Sequence, residues 1–375
     1  MTYNPYVFSN GDIINADRIN SLRAFGLTNS ELSAAANIAW TKINKTGSGI
    51  SDISDFPTQS GQNGKLLTTN GSALSWNAAS GNGMRGTFVK ADPLTVAFTK
   101  TGNGTAQVKA GTVVDVGGST VRFVSATTIT MPTLAAGTDY AIWVSASGAI
   151  QATTNHTSPP ASGTWRKIGG FHYAPGGNAT AQAGGDTTPQ VNPYSFWDLK
   201  FRPVCPDPRG MTLVANTFWA DIYLTGVDAI TNGSSRYNVT IADGSSPPKV
   251  PTMYGGNGTT TYGSYTWFEA MELATAFGKK CPTQQEFMAL AYGTTEASSR
   301  GTDPVTTQMS ATDDNFTSKW GVIQSAGCLW VWGRDRGGPA AAASWNANTE
   351  GRGSEYNGPN AGRFGGDWAN AAISG

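Results

Sequence analysis

Two-residue turns that contain glycine divide the middle of the chain into short apolar runs. The two clearest examples are Gly117-Gly118, between Thr112–Val116 and Ser119–Val124, and Ser147-Gly148, between Asp139–Ser145 and Ala149–Thr153. A tight hairpin needs positive φ angles in such a loop, and glycine adopts them without steric cost. Because short strands and glycine turns alternate regularly, residues 84–190 are predicted to form a β-sandwich or a small barrel.

The composition agrees with a turn-rich, mainly β protein. Glycine contributes 47 of the 375 residues and only 13% of the residues are charged, against about 25% in an average globular protein. Hydrophobic residues make up 39% of the chain, which is enough to build a core, so the low charge does not indicate disorder. Since 25 basic residues balance 25 acidic ones, we expect no nucleic-acid partner. No stretch approaches 18 continuous apolar residues, so we expect no membrane insertion.

Residues 1–83 depart from this pattern. Ser, Asn, Thr and Gly are dense here and large apolar residues are few; a hairpin is predicted around Asn70-Gly71 and a helix after the capping residue Asn15. A segment of this composition buries too little apolar surface to fold as a separate domain. We therefore expect it to wrap around identical chains in a symmetric oligomer, with a flexible leader as the alternative.

Residues 191–375 contain eight of the twelve tryptophans and two well-signalled helices. Each helix opens with a capping box, in which a threonine and the glutamate three residues later accept hydrogen bonds from each other's backbone N–H. The boxes are Thr266 with Glu269, before Trp267–Phe277, and Thr283 with Glu286, before Gln284–Tyr292. Trp267, Met271 and Ala274 fall on one face of the first helix. Two short helices among glycine-rich strands predict an α+β domain.

The cysteines and histidines do not form a recognised metal or redox motif. Cys205, Cys281 and Cys328 are widely spaced and contain no CxxC pair, so a zinc site or a disulfide framework is not expected. His156 and His172 lack the spacing of metal ligands. We predict that both histidines are structural or solvated and that buried cysteines act as small apolar groups.

Asp313, Asp314 and Asn315 form an oxygen-rich cluster. Carboxylate and amide oxygens are the ligands that calcium prefers, but the spaced ligands of a recognised calcium loop are missing here. We expect the protein to work without a cofactor, and a structural calcium ion at this cluster is the alternative.

Longer phrases of the sequence resemble known families. TWFEAMELATAFGKKCPTQQEFMALAYG, followed by GVIQSAGCLWVWGRD and GRFGGDW, resembles the formylglycine-generating-enzyme branch of the C-type-lectin fold. Within that branch, the chain from Phe88 to Gly375 is similar to the major tropism determinants, which are trimeric receptor-binding proteins at the tips of bacteriophage tail fibres. The earlier phrases FSNGDIINADRIN and ISDFPTQSGQNGKLLTTNGSALSW resemble the attachment and shaft segments of phage tail fibres.

The resemblance implies a mainly β homotrimer with three parts along the chain. These are a virion-attachment and fibre-shaft segment over residues 1–83, a β-sandwich over 84–190 and an α+β, C-type-lectin-like receptor-binding domain over 191–375. It implies a virion tail fibre that adheres to a protein or glycan on the host-cell surface, and joins other tail or baseplate proteins through its N-terminus. The family continues past the position of Gly375, so we expect the natural chain to be longer.

Receptor contact in this family is made by a displayed surface near the C-terminus. Along GGDWANAAISG, the resemblance implies that Trp368 is scaffold and that the displayed positions are Asp367, Ala369, Asn370, Ala371 and Ile373.

Residues 344–360 supply a second candidate set, because they mix aromatic rings with amides. The set consists of Trp345, Asn346, Asn348, Tyr356, Asn357 and Asn360. Interfaces favour this mixture, since rings provide contact area and amides provide adaptable hydrogen bonds. A solvated loop with one buried tryptophan is the alternative. Trp330 and Trp332, two residues apart on a predicted strand, are expected in the core rather than as a platform for sugar.

An enzyme is the other class to weigh, because fibre proteins can carry polysaccharide depolymerases. Such an enzyme needs a pair of carboxylates, and the candidates, by residue type alone, are Asp335, Glu350, Glu355 and Asp367. Their spacing singles out no pair, so we expect a non-enzymatic adhesin. A depolymerase and a purely structural tail component are the alternatives.

Overall fold

The computed structural model describes residues 65–69, 74–78, 87–201, 205–337, 345–347, 354–356 and 360–369, and these are mostly β with few helices. Contacts divide the chain into two compact units, Met1–Ser80 and Gly81–Gly375. In the first unit, β1 (Lys65–Thr69) and β2 (Leu74–Ala78) pair antiparallel, which confirms the hairpin predicted around Asn70-Gly71. The helix predicted after Asn15 lies outside the described residues.

The first half of the second unit is built from short antiparallel strands. They are β3 (Phe88–Val89), β4 (Phe98–Gly102), β5 (Thr105–Val108), β6 (Thr112–Val116), β7 (Ser119–Phe123), β8 (Thr127–Thr128), β9 (Thr138–Ser145), β10 (Ile150–Thr153), β11 (Trp165–Ala174), β12 (Gly177–Ala181), β13 (Gly184–Asp186), β14 (Gln190–Val191) and β15 (Trp197–Asp198). The larger sheet has the order β10-β9-β11-β14, with β15 also on β11, and the smaller sheets are β3-β6-β7 and β4-β5-β8.

Both predicted glycine hairpins are confirmed. Strands β6 and β7 pair across Gly117 and Gly118, whose φ angles are +59° and +97°. The Asp115 carboxylate accepts a hydrogen bond from the Gly118 backbone N–H at 3.2 Å and so fixes the turn. Strands β9 and β10 pair in the same way before and after Gly148, which has a φ of +91°.

These sheets share one apolar core. Tyr140, Phe171 and Phe196 are buried at its centre, with ring centroids 5.4 Å apart for the first pair and 5.6 Å for the second. Strand β11 approaches this core so closely that a Cβ on Gly169 would lie 2.3 Å from the Trp197 carbonyl oxygen. Glycine is therefore required at the point where β11 shifts register against β9.

The second half of the unit has fewer regular elements. They are β16 (Met211–Val214), β17 (Phe218–Asp221), α1 (Ala229–Asn232), α2 (Trp267–Ala276), α3 (Gln284–Ala291), β18 (Val331–Gly337), β19 (Trp345–Ala347), β20 (Ser354–Tyr356) and β21 (Asn360–Phe364), with 3-10 turns at Thr252–Tyr254 and Asp314–Phe316. The strands pair antiparallel as β16–β17, β18–β21 and β19–β20. None of the helices in the described ranges has the length and apolar content needed to cross a bilayer.

Helices α2 and α3 begin where the sequence predicts. Both capping boxes form, and each helix ends one residue before its predicted end. The most buried residues of α2 are Glu269, Ala270 and Leu273. The predicted face of Trp267, Met271 and Ala274 is only half-buried.

The three cysteines are free thiols, and Cys205 and Cys328 are buried. Burial raises the pKa of all three thiols, for Cys281 to about 12. Each is therefore protonated near neutral pH, and a buried thiol packs as a small apolar group.

Candidate functional site

The strand pair β18–β21 forms the base of the C-terminal surface. Trp332 stands opposite Arg363 and Val331 opposite Phe364. The Phe364 ring packs on Phe287 of α3, with ring centroids 5.3 Å apart. A Cβ on Gly333 would lie 2.3 Å from the Phe364 ring, so the absence of a side chain at Gly333 lets this ring reach the helix.

The first residues of helices α2 and α3 donate hydrogen bonds to residues of β18. The Trp267 indole N–H donates a hydrogen bond to the Gly333 carbonyl oxygen at 2.7 Å. The Gln284 backbone N–H, at the start of α3, donates to the Asp335 carboxylate at 2.8 Å. Both helices therefore hold β18 by direct hydrogen bonds, which makes the strand pair a rigid support.

Trp330, directly before β18, and Trp332, on β18, contact the same arginine side chain, but they are not core residues. Both side chains are half-buried, and the Arg363 guanidinium lies over both rings, 5.3 Å from the Trp330 centroid and 5.8 Å from the Trp332 centroid. The expectation of a core position is therefore wrong. Its physical reason is the strand register, which places a charged side chain directly opposite Trp332.

The predicted display segment after β21 is described as far as Ala369. The Asp367 carboxylate accepts hydrogen bonds from the Trp330 indole N–H at 3.2 Å and from the Ala369 backbone N–H at 3.0 Å. The Trp368 carbonyl oxygen accepts from the Gly301 N–H at 2.9 Å. Ala369 is exposed. Asn370, Ala371 and Ile373 lie outside the described residues.

The second predicted set is partly brought together by β19–β20. Trp345 stands directly opposite Tyr356 in this strand pair, and Asn346 stands opposite Glu355. Asn360 opens β21 opposite Gly337. Asn348 and Asn357 lie outside the described residues.

A cavity of about 1460 Å³ lies within the second unit. Its lining includes all four residues of β17 together with Trp330, Trp332 and Arg363. All four residues of β17 are half-buried, whereas those of β16 are fully buried. The tryptophan and arginine side chains of the C-terminal surface therefore border a space large enough to admit a ligand.

The oxygen-rich cluster at Asp313 makes contacts within the protein. The Asp313 carboxylate is buried and accepts hydrogen bonds from the Arg300 guanidinium at 2.7 Å and from the Ser310 backbone N–H at 2.7 Å. The Asp314 carboxylate accepts from the Asn315 N–H at 2.8 Å. In the ranges that the structure describes, no group of three or more His, Cys, Asp or Glu side chains is arranged to hold a metal ion.

Arg363 is the residue of this surface that the sequence did not single out. Its neighbours in GRFGGDW gave no signal for a contact with Trp330 and Trp332, which lie about thirty positions earlier in the chain. The sequence signal for part of this contact is the spacing of two between the tryptophans, which predicts both rings on one side of a strand.

Comparison with known proteins finds a family model and a curated relative that match this chain. The family described as the Mtd second domain matches residues 96–198. The tail fiber receptor-binding protein of Bordetella phage BPP-1 is 56% identical over 296 residues, which cover 77% of this chain and 78% of that protein.

Solved structures agree with the sequence comparison. The U1 variant of the Major Tropism Determinant is 55% identical, with a TM-score of 0.74 over 77% of this chain and 79% of that one. The P3c variant is 52% identical, with a TM-score of 0.75 over 83% of this chain and 85% of that one. The mostly β architecture with few helices matches their fold. The resemblance to the major tropism determinants is thus confirmed, and the chain belongs to their family.

Proposed function

We propose that the chain is the receptor-binding protein of a bacteriophage tail fibre and attaches the virion to a molecule on the host-cell surface. The observation that carries this function is the 56% identity, over 296 residues, to a tail fiber receptor-binding protein. The rigid strand pair β18–β21, with tryptophans and an arginine at its surface, supports it. Adhesion requires a firmly held display of this kind and no reactive group.

The proposed receptor contacts lie in two C-terminal segments, residues 345–360 and 367–373. They are Trp345, Asn346, Asn348, Tyr356, Asn357, Asn360, Asp367, Ala369, Asn370, Ala371 and Ile373. The backbone pairing of Trp345 with Tyr356 in β19–β20 brings two residues of the set together, which supports a receptor contact there. The exposure of Ala369 supports contact at the second segment.

The proposed assembly is a homotrimer. Residues 1–83 attach it to other tail or baseplate proteins and form the shaft, residues 84–190 form a neck, and residues 191–375 form the C-type-lectin-like tip. Three identical tips on one fibre turn weak single contacts into durable adhesion, because the later contacts form at high effective concentration.

Catalysis and a cofactor have no part in the proposal. The carboxylates of Asp335 and Asp367 accept hydrogen bonds from backbone N–H groups and so hold local structure. Asp313, the buried member of the oxygen-rich cluster, is paired with Arg300. Glu350 lies outside the described residues. Adhesion is the function that the identity to a receptor-binding protein supports best.

Adsorption competition tests the proposed function. Purified protein, added to host cells before the phage, should block adsorption in a dose-dependent way. Tyr356→Ala should raise the concentration needed by about 30-fold, as expected for an aromatic hot spot. Tyr254→Ala is the matched control, since Tyr254 is an exposed tyrosine outside the proposed contacts. Failure of the unmodified protein to compete would contradict adhesion, and release of oligosaccharide from host polysaccharide would favour a depolymerase.

A further inference from the structure

Arg363 is an exposed arginine held by two aromatic rings. Its guanidinium carbon lies 5.3 Å from the Trp330 ring centroid and 5.8 Å from the Trp332 ring centroid. Both distances fall within the range of about 6 Å in which a cation is attracted to a ring face. Two such contacts hold one guanidinium in place at the surface.

The rings that hold Arg363 are themselves fixed. The Trp330 indole N–H donates to the Asp367 carboxylate, and the Trp332 indole N–H donates to the Tyr265 carbonyl oxygen, both at 3.2 Å. A side chain that is already ordered loses little freedom when it binds a partner, and this favours affinity. Arg363 is therefore preorganised.

The N–H donors of the Arg363 guanidinium are not used by the described part of the chain. Within the residues that the structure describes, it makes no hydrogen bond and no ion pair. Two other arginines of the same unit differ, because Arg300 is paired with Asp313 at 2.7 Å and Arg334 with Glu286 at 3.3 Å. A guanidinium presents five N–H donors in a planar fork that matches the two oxygens of a carboxylate.

We propose that Arg363, clamped by Trp330 and Trp332, binds the carboxylate of an acidic side chain on a protein receptor. This inference rests on the proposed function and names the chemistry of the receptor. Tryptophan and arginine are the residues most enriched at the energetic centres of protein–protein interfaces. An ion pair at such a centre selects partners by charge as well as by shape.

The surroundings of Arg363 favour a polypeptide over a polysaccharide. Arg363 lines the same cavity as all four residues of β17. Among the described strands, β17 pairs with β16 alone, so no described strand occupies its second edge. Addition of a strand to such an edge is a common mode of polypeptide recognition. The receptor segment is therefore extended and acidic.

Two polymers with the same charged group test the proposal. Poly-L-glutamate carries carboxylates on a polypeptide, and polygalacturonate carries them on a sugar chain. Binding of the 375-residue chain to each immobilised polymer is measured by surface plasmon resonance. The unmodified protein should prefer poly-L-glutamate, and Arg363→Glu should weaken that binding by about 30-fold or more. The affinity of Arg363→Lys for poly-L-glutamate should lie between those of the unmodified protein and Arg363→Glu. Lysine keeps the positive charge but lacks the planar fork of N–H donors.

Arg122→Glu is the matched control, because Arg122 is an exposed arginine on β7 and outside the C-terminal surface. It should bind as the unmodified protein does, and unchanged thermal unfolding should show that every variant is folded. Equal binding by Arg363→Glu, or an equal loss in Arg122→Glu, would overturn the proposal. A preference for polygalacturonate would assign the site to an acidic glycan and overturn the choice of a polypeptide.

Adsorption to host cells, measured with the same variants, separates this proposal from the proposed function. Protein that binds poly-L-glutamate through Arg363 but fails to adsorb to cells would contradict the function and leave the carboxylate site standing. Full adsorption by Arg363→Glu would contradict the carboxylate site and leave the function standing.

Discussion

At the scale of single residues, His172 shows how a buried polar group is satisfied. Its Nδ1 lies 2.9 Å from the Asp139 carboxylate and its Nε2 lies 2.8 Å from the Tyr223 hydroxyl. Burial alone would raise the pKa of Asp139, but the charge and hydrogen bond of His172 and the Gly210 N–H hold it below its ordinary value. The predicted structural role of His172 is confirmed, and the network ties β9 and β11 to the segment after β17.

Replacing the hydroxyl in this network should destabilise the protein. Tyr223→Phe leaves Nε2 of the buried His172 without its partner, and an unsatisfied buried group costs about 1–3 kcal/mol of unfolding free energy. Denaturant titration measures the loss. Tyr173→Phe is the control, because the Tyr173 hydroxyl donates to the Pro189 carbonyl oxygen in an exposed position. The two substitutions should differ clearly, and equal losses would contradict the role given to the network.

His156 makes stability depend on pH. Burial, reinforced by the charges of Arg209 and Lys167, lowers its pKa below the ordinary value of 6.5, although a hydrogen bond to Asp139 opposes this. The unfolded chain therefore takes up a proton at higher pH than the folded chain does. As far as His156 is concerned, the unfolding free energy is therefore highest above pH 6.5. It decreases as the pH falls from 6.5 through the lower pKa of the folded chain.

His156→Gln should remove this part of the pH dependence. Thermal unfolding of the unmodified protein should show a falling midpoint as the pH is lowered from 6.5 through the folded pKa, and the variant should show a flatter profile over the same interval. Parallel profiles for the two proteins would mean that other groups account for the acid response.

At the scale of elements, the β6–β7 hairpin depends on its glycines. Both Gly117 and Gly118 have positive φ angles, which cost an L-residue with a Cβ about 1–2 kcal/mol each. Gly118→Ala should therefore lower the unfolding free energy by about 1 kcal/mol or more, and denaturant titration measures it. Gly244→Ala is the matched control, since φ at Gly244 is ordinary and nothing lies within 4 Å of an added Cβ.

The control substitution has its own expected sign. Alanine at Gly244 reduces the freedom of the unfolded chain, so stability should be unchanged or rise by up to about 1 kcal/mol. A loss at Gly244 equal to the loss at Gly118 would show that turn geometry is not the cause.

Elements that depend on neighbouring residues could be predicted from the sequence. The Gly117-Gly118 hairpin and the two capping boxes are local, and each is found where its residues predict it. The contact of Arg363 with Trp330 could not be predicted, because it depends on the register of β21 against β18. The same holds for His172, whose partner Tyr223 is 51 positions away.

At the scale of the whole molecule, the scarcity of charge fits the proposed assembly. Only 13% of the residues are charged, and basic and acidic residues balance. Surfaces that meet identical chains bury area that a monomer would have to keep hydrated, so they carry fewer charges. The balance also removes the net repulsion that would oppose association of identical chains.

Trimeric display predicts that adhesion depends on receptor density. When receptors are dense, all three tips of one trimer engage, and dissociation should be slower by about a hundredfold or more than for a single tip. Vesicles made from host-cell envelopes, diluted in steps with plain lipid, provide a graded density, and surface plasmon resonance gives the dissociation rate. The rate should rise steeply once receptors are too sparse to be bridged. A rate that stays constant across the dilution series, for protein shown to be trimeric by sedimentation, would mean that each fibre binds through one tip only.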